Sequence, residues 1–285
     1  MIVGTFLITF REALEAAIII GIMVAYLKRT NRTSQIREVW IGTALSVGTS
    51  VLLGMGIVRF YGGFKEKELF EGVASYLAVI VLTSMIYWMA TKGKNVKSEI
   101  ENKISTSITP LTLITFTFIV IFREGLETVI FLTPFIIRNI EETLLGFVTG
   151  LMAALVLAYL IYGLGMRINL KKFFYFSSIL LVLVAAGLIG YGTHELIEWA
   201  EKEGYSPGVL ANIVYDLGIP EDSIWHHKGA IGSIFAVLFG YSTKMELGRV
   251  IIQFGYLFTA LYLVFKSYGK DPSLNGNKGM KRSIV

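Results

Sequence analysis

The sequence predicts an all-α membrane protein, and two observations support that class. The chain of 285 residues is 54% apolar, and its mean hydropathy of +0.64 is too high for an ordinary soluble domain. Several windows of about 20 residues are almost free of charge, and this is the length that an α-helix needs to cross a bilayer. A transmembrane β-barrel would show short alternating segments instead.

Seven apolar segments are expected to span the membrane as helices. Pro110 suits the first turn of the fourth segment. The second and fifth segments carry small residues at every fourth position, which lets helices approach closely. The segments cover approximately 3–27, 39–60, 69–91, 110–137, 144–166, 173–199 and 247–265.

The basic residues predict the orientation of the chain. Lysine and arginine are concentrated after the first, third and fifth segments and in the C-terminal tail. By the positive-inside rule these parts are cytoplasmic, so the N-terminus lies outside. The net charge of +5 is therefore a topology signal, and no nucleic-acid partner is expected. The predicted location is the plasma or inner membrane, with the lipid bilayer as the surrounding partner.

The segments form two halves of three spans each, 1–91 and 110–200, joined by a cytoplasmic connector at 92–109. Because three is an odd number, the second half enters the membrane from the opposite side. This arrangement is a 3+3 inverted-topology repeat, a plan common among secondary transporters. An extracytoplasmic loop (201–245), one extra helix (246–266) and a basic cytoplasmic tail (267–285) complete the predicted organisation.

Two apolar segments have an arginine and two glutamates near their middle. The first contains Phe10-Arg11-Glu12-Ala13-Leu14-Glu15, and the fourth contains Phe122-Arg123-Glu124-Gly125-Leu126-Glu127. One charge at the centre of a membrane helix costs about 2.5–3.5 kcal/mol on insertion scales. These charges should therefore face the protein interior and mark an ion or proton path.

The spacing within each motif places both glutamates on one helix face. Glu12 and Glu15 are three residues apart, as are Glu124 and Glu127. Each arginine can neutralise the glutamate four residues later. If the two helices meet, their carboxylates form a site of hard oxygen ligands, suited to magnesium, calcium, manganese or iron. The alternative is a structural ion pair in each helix, although a buried pair is weak support for stability.

Further candidate ligands lie near the predicted outer ends of two helices. Glu71 begins the third segment, where it could line the pathway or act as a carboxylate favoured by the helix dipole. His194, Glu195 and Glu198 end the sixth segment, where they could bind a metal in an outer vestibule or form a solvated helix end. The run His-Glu-Leu-Ile-Glu lacks the second histidine of a zinc protease motif, so an enzyme is not expected.

These motifs resemble those of the high-affinity iron permeases of fungi and their prokaryotic relatives, the oxidase-dependent iron transporter family. The similarity extends over most of the chain and includes Phe70-Glu71-Gly72, Leu82–Met89 and Leu238–Tyr241. It implies iron uptake, with the motif glutamates essential. From the charge pattern itself, Arg11 and Arg123 are expected to hold these carboxylates in place and to limit the negative charge of the empty site. The iron ion, Fe²⁺ or Fe³⁺, is then the substrate, and no cofactor is implied. An extracytoplasmic ferroxidase or iron-delivery protein is the implied partner.

Two other functions are compatible with the residues. One is transport of a different divalent metal, such as manganese or lead. The other is a non-transporting membrane scaffold or subunit whose motifs are only ion pairs. The sequence leaves the oxidation state of iron, the energy coupling and the oligomeric state open, and it is compatible with a homo-oligomer.

Overall fold

The computed structural model describes residues 2–92, 96–106, 109–164, 170–220, 223–226, 229 and 231–269. Most of the predicted basic tail lies outside these residues. Helices dominate the described part, which confirms the all-α class. They are α1 (Ile2–Arg29), α2 (Ile36–Gly62), α3 (Lys67–Lys92), α4 (Val96–Thr106), α5 (Pro110–Arg138), α6 (Ile140–Tyr162), α7 (Leu170–Lys202), α8 (Gly232–Phe239) and α9 (Leu247–Gly269).

Five of the described helices are long and apolar enough to cross a membrane: α2, α3, α6, α7 and α9. The other two long helices, α1 and α5, are not among these five, because each has three charged motif residues near its middle. The five helices support an integral membrane protein. The count of seven spans stays a prediction, because α1 and α5 are not among the helices that length and composition identify as spans.

The helix ends follow local capping chemistry. α5 begins at Pro110, as predicted, and Thr109 and Thr112 form a reciprocal capping box before it. α6 begins at Ile140, ahead of the apolar segment predicted from 144. The Asn139 side chain accepts a hydrogen bond from the backbone N–H of Glu142 at 3.1 Å, and the helix dipole favours acidic residues in the first turn.

The long helices pack in pairs that link the beginning of the chain with its middle. α1 lies along α6, α2 along α5, and α3 along α7, while α9 packs on α7. Small residues are at two of these contacts. A Cβ on Gly42 of α2 would be 2.7 Å from the Ile114 carbonyl oxygen of α5, and one on Gly146 of α6 would be 2.7 Å from the Ile2 carbonyl oxygen of α1. These glycines therefore set how closely the paired helices approach.

Two smaller features lie outside the long helices. In α4, which lies in the predicted connector, Ile100 and Ile104 are buried, and Glu101 pairs with Arg29 of α1 at 3.2 Å. Strands β1 (Ile213–Asp216) and β2 (Lys244–Glu246) form an antiparallel ribbon. The sequence did not predict this ribbon, because its strands are separated by a long segment that contains α8 and no tight hairpin turn connects them.

Candidate metal-ion site

The α1 motif is enclosed inside the protein. Arg11 Nη1 is 2.7 Å from Glu12 Oε1, and Arg11 Nη2 is 2.8 Å from Glu15 Oε1. Arg11 Nη1 also donates a hydrogen bond to Met85 Sδ on α3 at 2.8 Å. All three charged side chains are buried. The prediction that Arg11 pairs with Glu15 alone was incomplete, because its guanidinium bridges both glutamates.

The α5 motif has the same pairing but a more open arginine. Arg123 Nη2 is 3.1 Å from Glu124 Oε1, and Arg123 Nε is 3.3 Å from Glu127 Oε1. The guanidinium carbon lies 4.9 Å from the centre of the Trp88 ring on α3. Glu124 is buried and Glu127 is largely so, whereas the arginine side chain is 44% exposed.

The two motifs meet where α1 contacts α5. One carboxylate oxygen from each of Glu12, Glu15 and Glu124 lies within 4.8 Å of the others. Among the described residues, the Oε2 atoms of Glu12, Glu124 and Glu127 are buried without a hydrogen-bond donor. Buried acceptors without donors are destabilising, and a cation coordinated between them would satisfy them. The chemistry of this donor set fits a hard metal ion.

The arginine partners on α3 were not predicted. Met85 and Trp88 both belong to the run Leu82–Met89 that carried the family resemblance. Their spacing of three residues places them on one helix face, and this spacing was the available signal. The sequence alone does not show that this face of α3 covers the motifs.

Glu71 lies in a separate group of side chains near the beginning of α3. Its Oε1 accepts a hydrogen bond from the Tyr61 hydroxyl at 2.8 Å, and its Oε2 accepts one from the Tyr191 hydroxyl. The guanidinium carbon of Arg138 lies 4.8 Å from the Tyr191 ring centre. Glu195 follows one turn after Tyr191 on α7 and is buried. Two acidic residues from α3 and α7 thus share a polar end of the helix bundle.

His194 and Glu198 lie at the same end, each with a charged partner. His194 Nδ1 is 3.0 Å from Glu246 Oε1 in β2, and its Nε2 is 3.9 Å from Glu198 Oε2. Lys202 Nζ is 2.8 Å from Glu198. Ligand atoms of His194, Glu195 and Glu198 lie within 4.8 Å of one another. The structure therefore brings these three candidates together, but at a different place from the motif glutamates.

Glu246 also belongs to this group at the end of the bundle, although the sequence did not indicate it. Burial disfavours its charged form, but the hydrogen bond with His194 and the positive charges of His194 and Arg249 prevail. Together they hold the pKa of Glu246 below its ordinary value. The residue therefore stays ionised and joins the β ribbon to α7. Nothing in its local sequence signals a contact with a helix that ends more than 40 residues earlier.

Comparison with known proteins identifies the family. Residues 2–266 match the iron permease FTR1 family. The chain belongs to this family. It is 46% identical over 270 residues to an uncharacterized protein of Archaeoglobus fulgidus, with 94% of this chain and 96% of the relative covered. It is 33% identical over 264 residues to the ferrous iron permease EfeU of Escherichia coli, with 90% and 92% covered.

The ferrous iron permease EfeU of Yersinia pestis is similar at the same level, 33% identical over 268 residues, with 91% of this chain and 92% of the relative covered. No solved structure matches the chain. Iron permeases of the FTR1 family are membrane transporters and not enzymes, which agrees with the apolar helices of this chain. The resemblance to iron permeases and the absence of an enzyme function are thereby confirmed.

Proposed function

We propose that this iron permease moves iron ions inward through a midplane site formed by Glu12, Glu15, Glu124 and Glu127. The observation that carries the proposal is the convergence of three buried carboxylates from α1 and α5. Carboxylate oxygens in a dry environment need a cation or a donor, and several of these have no donor. Arg11 and Arg123 position the glutamates and limit the negative charge while the site is empty.

The proposal includes a seven-span topology with an inverted repeat and the N-terminus outside. It is supported by the pairing of helices across the two halves. The first helix of each half lies along the second helix of the other half: α1 along α6, and α5 along α2. At these two contacts, Thr5 packs on Gly146 and Thr117 packs on Gly42, and both threonines are fully buried. Residues 1–91 and 110–200 then form the two halves. Movement of one half against the other exposes the site to each side in turn.

Iron first meets the group formed by Glu71, His194, Glu195 and Glu198 in this scheme. Acidic side chains in a cleft raise the local concentration of cations. An iron-delivery protein outside the cell would release iron at this end of the bundle. The same end holds the β ribbon, which His194 and Glu246 tie to α7.

We infer that the transported species is Fe²⁺. With the four motif glutamates and the two arginines ionised, two negative charges remain, and these balance a divalent cation. The E. coli and Y. pestis relatives carry the description ferrous iron permease, which agrees with this inference. Competition by Mn²⁺ and Pb²⁺ during uptake would distinguish iron from the other divalent metals that the sequence allowed.

The test is uptake of radioactive Fe²⁺ by proteoliposomes that contain single glutamine variants. Glu12→Gln, Glu15→Gln, Glu124→Gln and Glu127→Gln should each lower uptake by about 100-fold or more. This expectation follows because even the outer-shell partners of metal ligands contribute about 10–100-fold to affinity or activity. The matched control is Glu141→Gln, an exposed glutamate in the first turn of α6. Near-normal uptake by all four motif variants would refute the site.

A further inference from the structure

The two motifs have the same charged residues, yet the structure holds their arginines differently. The Arg11 side chain is 1% exposed and has contacts of 2.7 and 2.8 Å to its glutamates. The Arg123 side chain is 44% exposed, and its contacts are longer, at 3.1 and 3.3 Å. The α1 arginine is therefore fixed, whereas the α5 arginine has room to move.

The third contact of each arginine comes from one face of α3. Met85 Sδ accepts a hydrogen bond from Arg11, and the Trp88 ring lies under the Arg123 guanidinium at 4.9 Å. A thioether is a weak acceptor for a group that already has two carboxylate partners. An indole ring attracts a cation over its whole face, and tryptophan is the aromatic residue that does so best.

A cation that binds among Glu12, Glu15 and Glu124 competes with the arginines for the same carboxylates. Arg11 cannot withdraw, because it is enclosed by its two glutamates and by Met85. Arg123 already rests on Trp88 while it contacts Glu124 and Glu127. It can leave Glu124 without losing its place on the ring, so its release needs no new partner.

We propose that Arg123 is the movable counter-ion of the site and that Trp88 is the positioning residue that holds its guanidinium when iron is bound. The inference rests on the proposed function and adds an order of events to it. Iron replaces Arg123 at Glu124, and the arginine remains on the indole ring. When iron leaves, the guanidinium returns to the carboxylate and keeps the empty site from accumulating negative charge.

The experiment measures half-saturating Fe²⁺ and maximal rate for Trp88→Leu, Trp88→Phe and Trp88→Tyr in proteoliposomes. Without an aromatic face, Arg123 stays on Glu124 and competes with iron. Trp88→Leu should raise the half-saturating concentration about 2- to 5-fold, the factor that corresponds to a cation–π contact of a partly exposed arginine, with the maximal rate largely retained. The phenylalanine and tyrosine variants should lie between leucine and wild type.

The matched control is Tyr87→Leu, which removes a neighbouring aromatic side chain that is 59% exposed and belongs to another face of α3. It should leave the half-saturating concentration unchanged. If Trp88→Leu inserts poorly, the phenylalanine and tyrosine variants still test the proposal, because each should show an intermediate rise in the half-saturating Fe²⁺ concentration. An equal loss in the leucine and phenylalanine variants would indicate packing and overturn the inference, as would unchanged half-saturation in all three.

Failure of this inference can be separated from failure of the proposed function. If Glu124→Gln abolishes uptake while the Trp88 variants keep wild-type half-saturation, the glutamate site stands and only the role of Trp88 falls. If Glu124→Gln transports normally, the glutamate site itself is wrong.

Discussion

At the scale of single residues, Glu71 differs from the motif glutamates in its hydrogen bonds. Both of its oxygens accept a tyrosine hydroxyl, whereas both Glu12 and Glu124 have a buried oxygen without a donor. A carboxylate whose two oxygens already accept hydrogen bonds still attracts a cation by its charge. It has fewer free lone pairs with which to coordinate that cation. We therefore expect Glu71 to act in the capture of iron rather than in its translocation.

This distinction predicts separate kinetic effects. Glu71→Gln should raise the half-saturating Fe²⁺ concentration about tenfold, the lower end of what electrostatic focusing contributes, and should leave the maximal rate close to wild type. The measurement is initial uptake over a range of Fe²⁺ concentrations, with Glu141→Gln as the control. A loss of maximal rate would instead place Glu71 in the translocation step.

The sequence could predict the motif residues and their shared faces, because helical spacing alone determines these. It could not predict that Arg11 reaches Glu12 as well as Glu15, since that contact depends on the side-chain rotamer. The contact between His194 and Glu246 was also beyond prediction. It depends on where the β ribbon packs against α7, which is a tertiary property without a local signal.

At the scale of helices, close packing of α2 on α5 depends on the face of α2 that contains Gly42. Gly42 contacts the α5 backbone, whereas Gly48 of the same helix has open space where a Cβ would be. The small-residue spacing predicted that α2 and α6 pack closely on other helices. It did not predict which helices, because small residues at every fourth position identify the contact face of a helix but not the helix that packs against it.

Gly42 and Gly48 of α2 offer a matched pair for measuring this contact. Gly42→Ala should destabilise the protein by about 1–3 kcal/mol, because the added methyl group overpacks the contact with the Ile114 carbonyl. Gly48→Ala should be neutral or slightly stabilising, because alanine favours the helix. Thermal unfolding of the detergent-solubilised protein measures both. Equal stability of the two variants would contradict the close contact.

At the scale of the whole molecule, the proposed topology assigns every helix end to one side of the membrane. The chain contains no cysteine, so each introduced cysteine reports on one position. Lys65→Cys, between α2 and α3, and Glu141→Cys, at the start of α6, should react with an impermeant maleimide added outside intact cells. Ser34→Cys, between α1 and α2, should react only after the membrane is opened. Labelling of Ser34→Cys from outside would reverse the orientation.

The fold class followed from composition alone, because apolar windows of membrane length leave few alternatives. The order in which helices pair did not follow, since lipid-facing and protein-facing apolar residues look alike in a sequence. Leu52 on α2 is 70% exposed and Leu82 on α3 is fully buried, yet both lie in similarly apolar segments. Only the three-dimensional arrangement separates them.

The pairing of helices across the two halves has a consequence for how the protein is made. α1 packs along α6 and α2 along α5, so neither half supplies the partners of its own first two helices. During synthesis the first half leaves the ribosome with Arg11, Glu12 and Glu15 in a helix whose main neighbour has not yet been translated. The helices that cover those charges, α5 and α6, are both translated later, so the proposed site can be completed only late in translation.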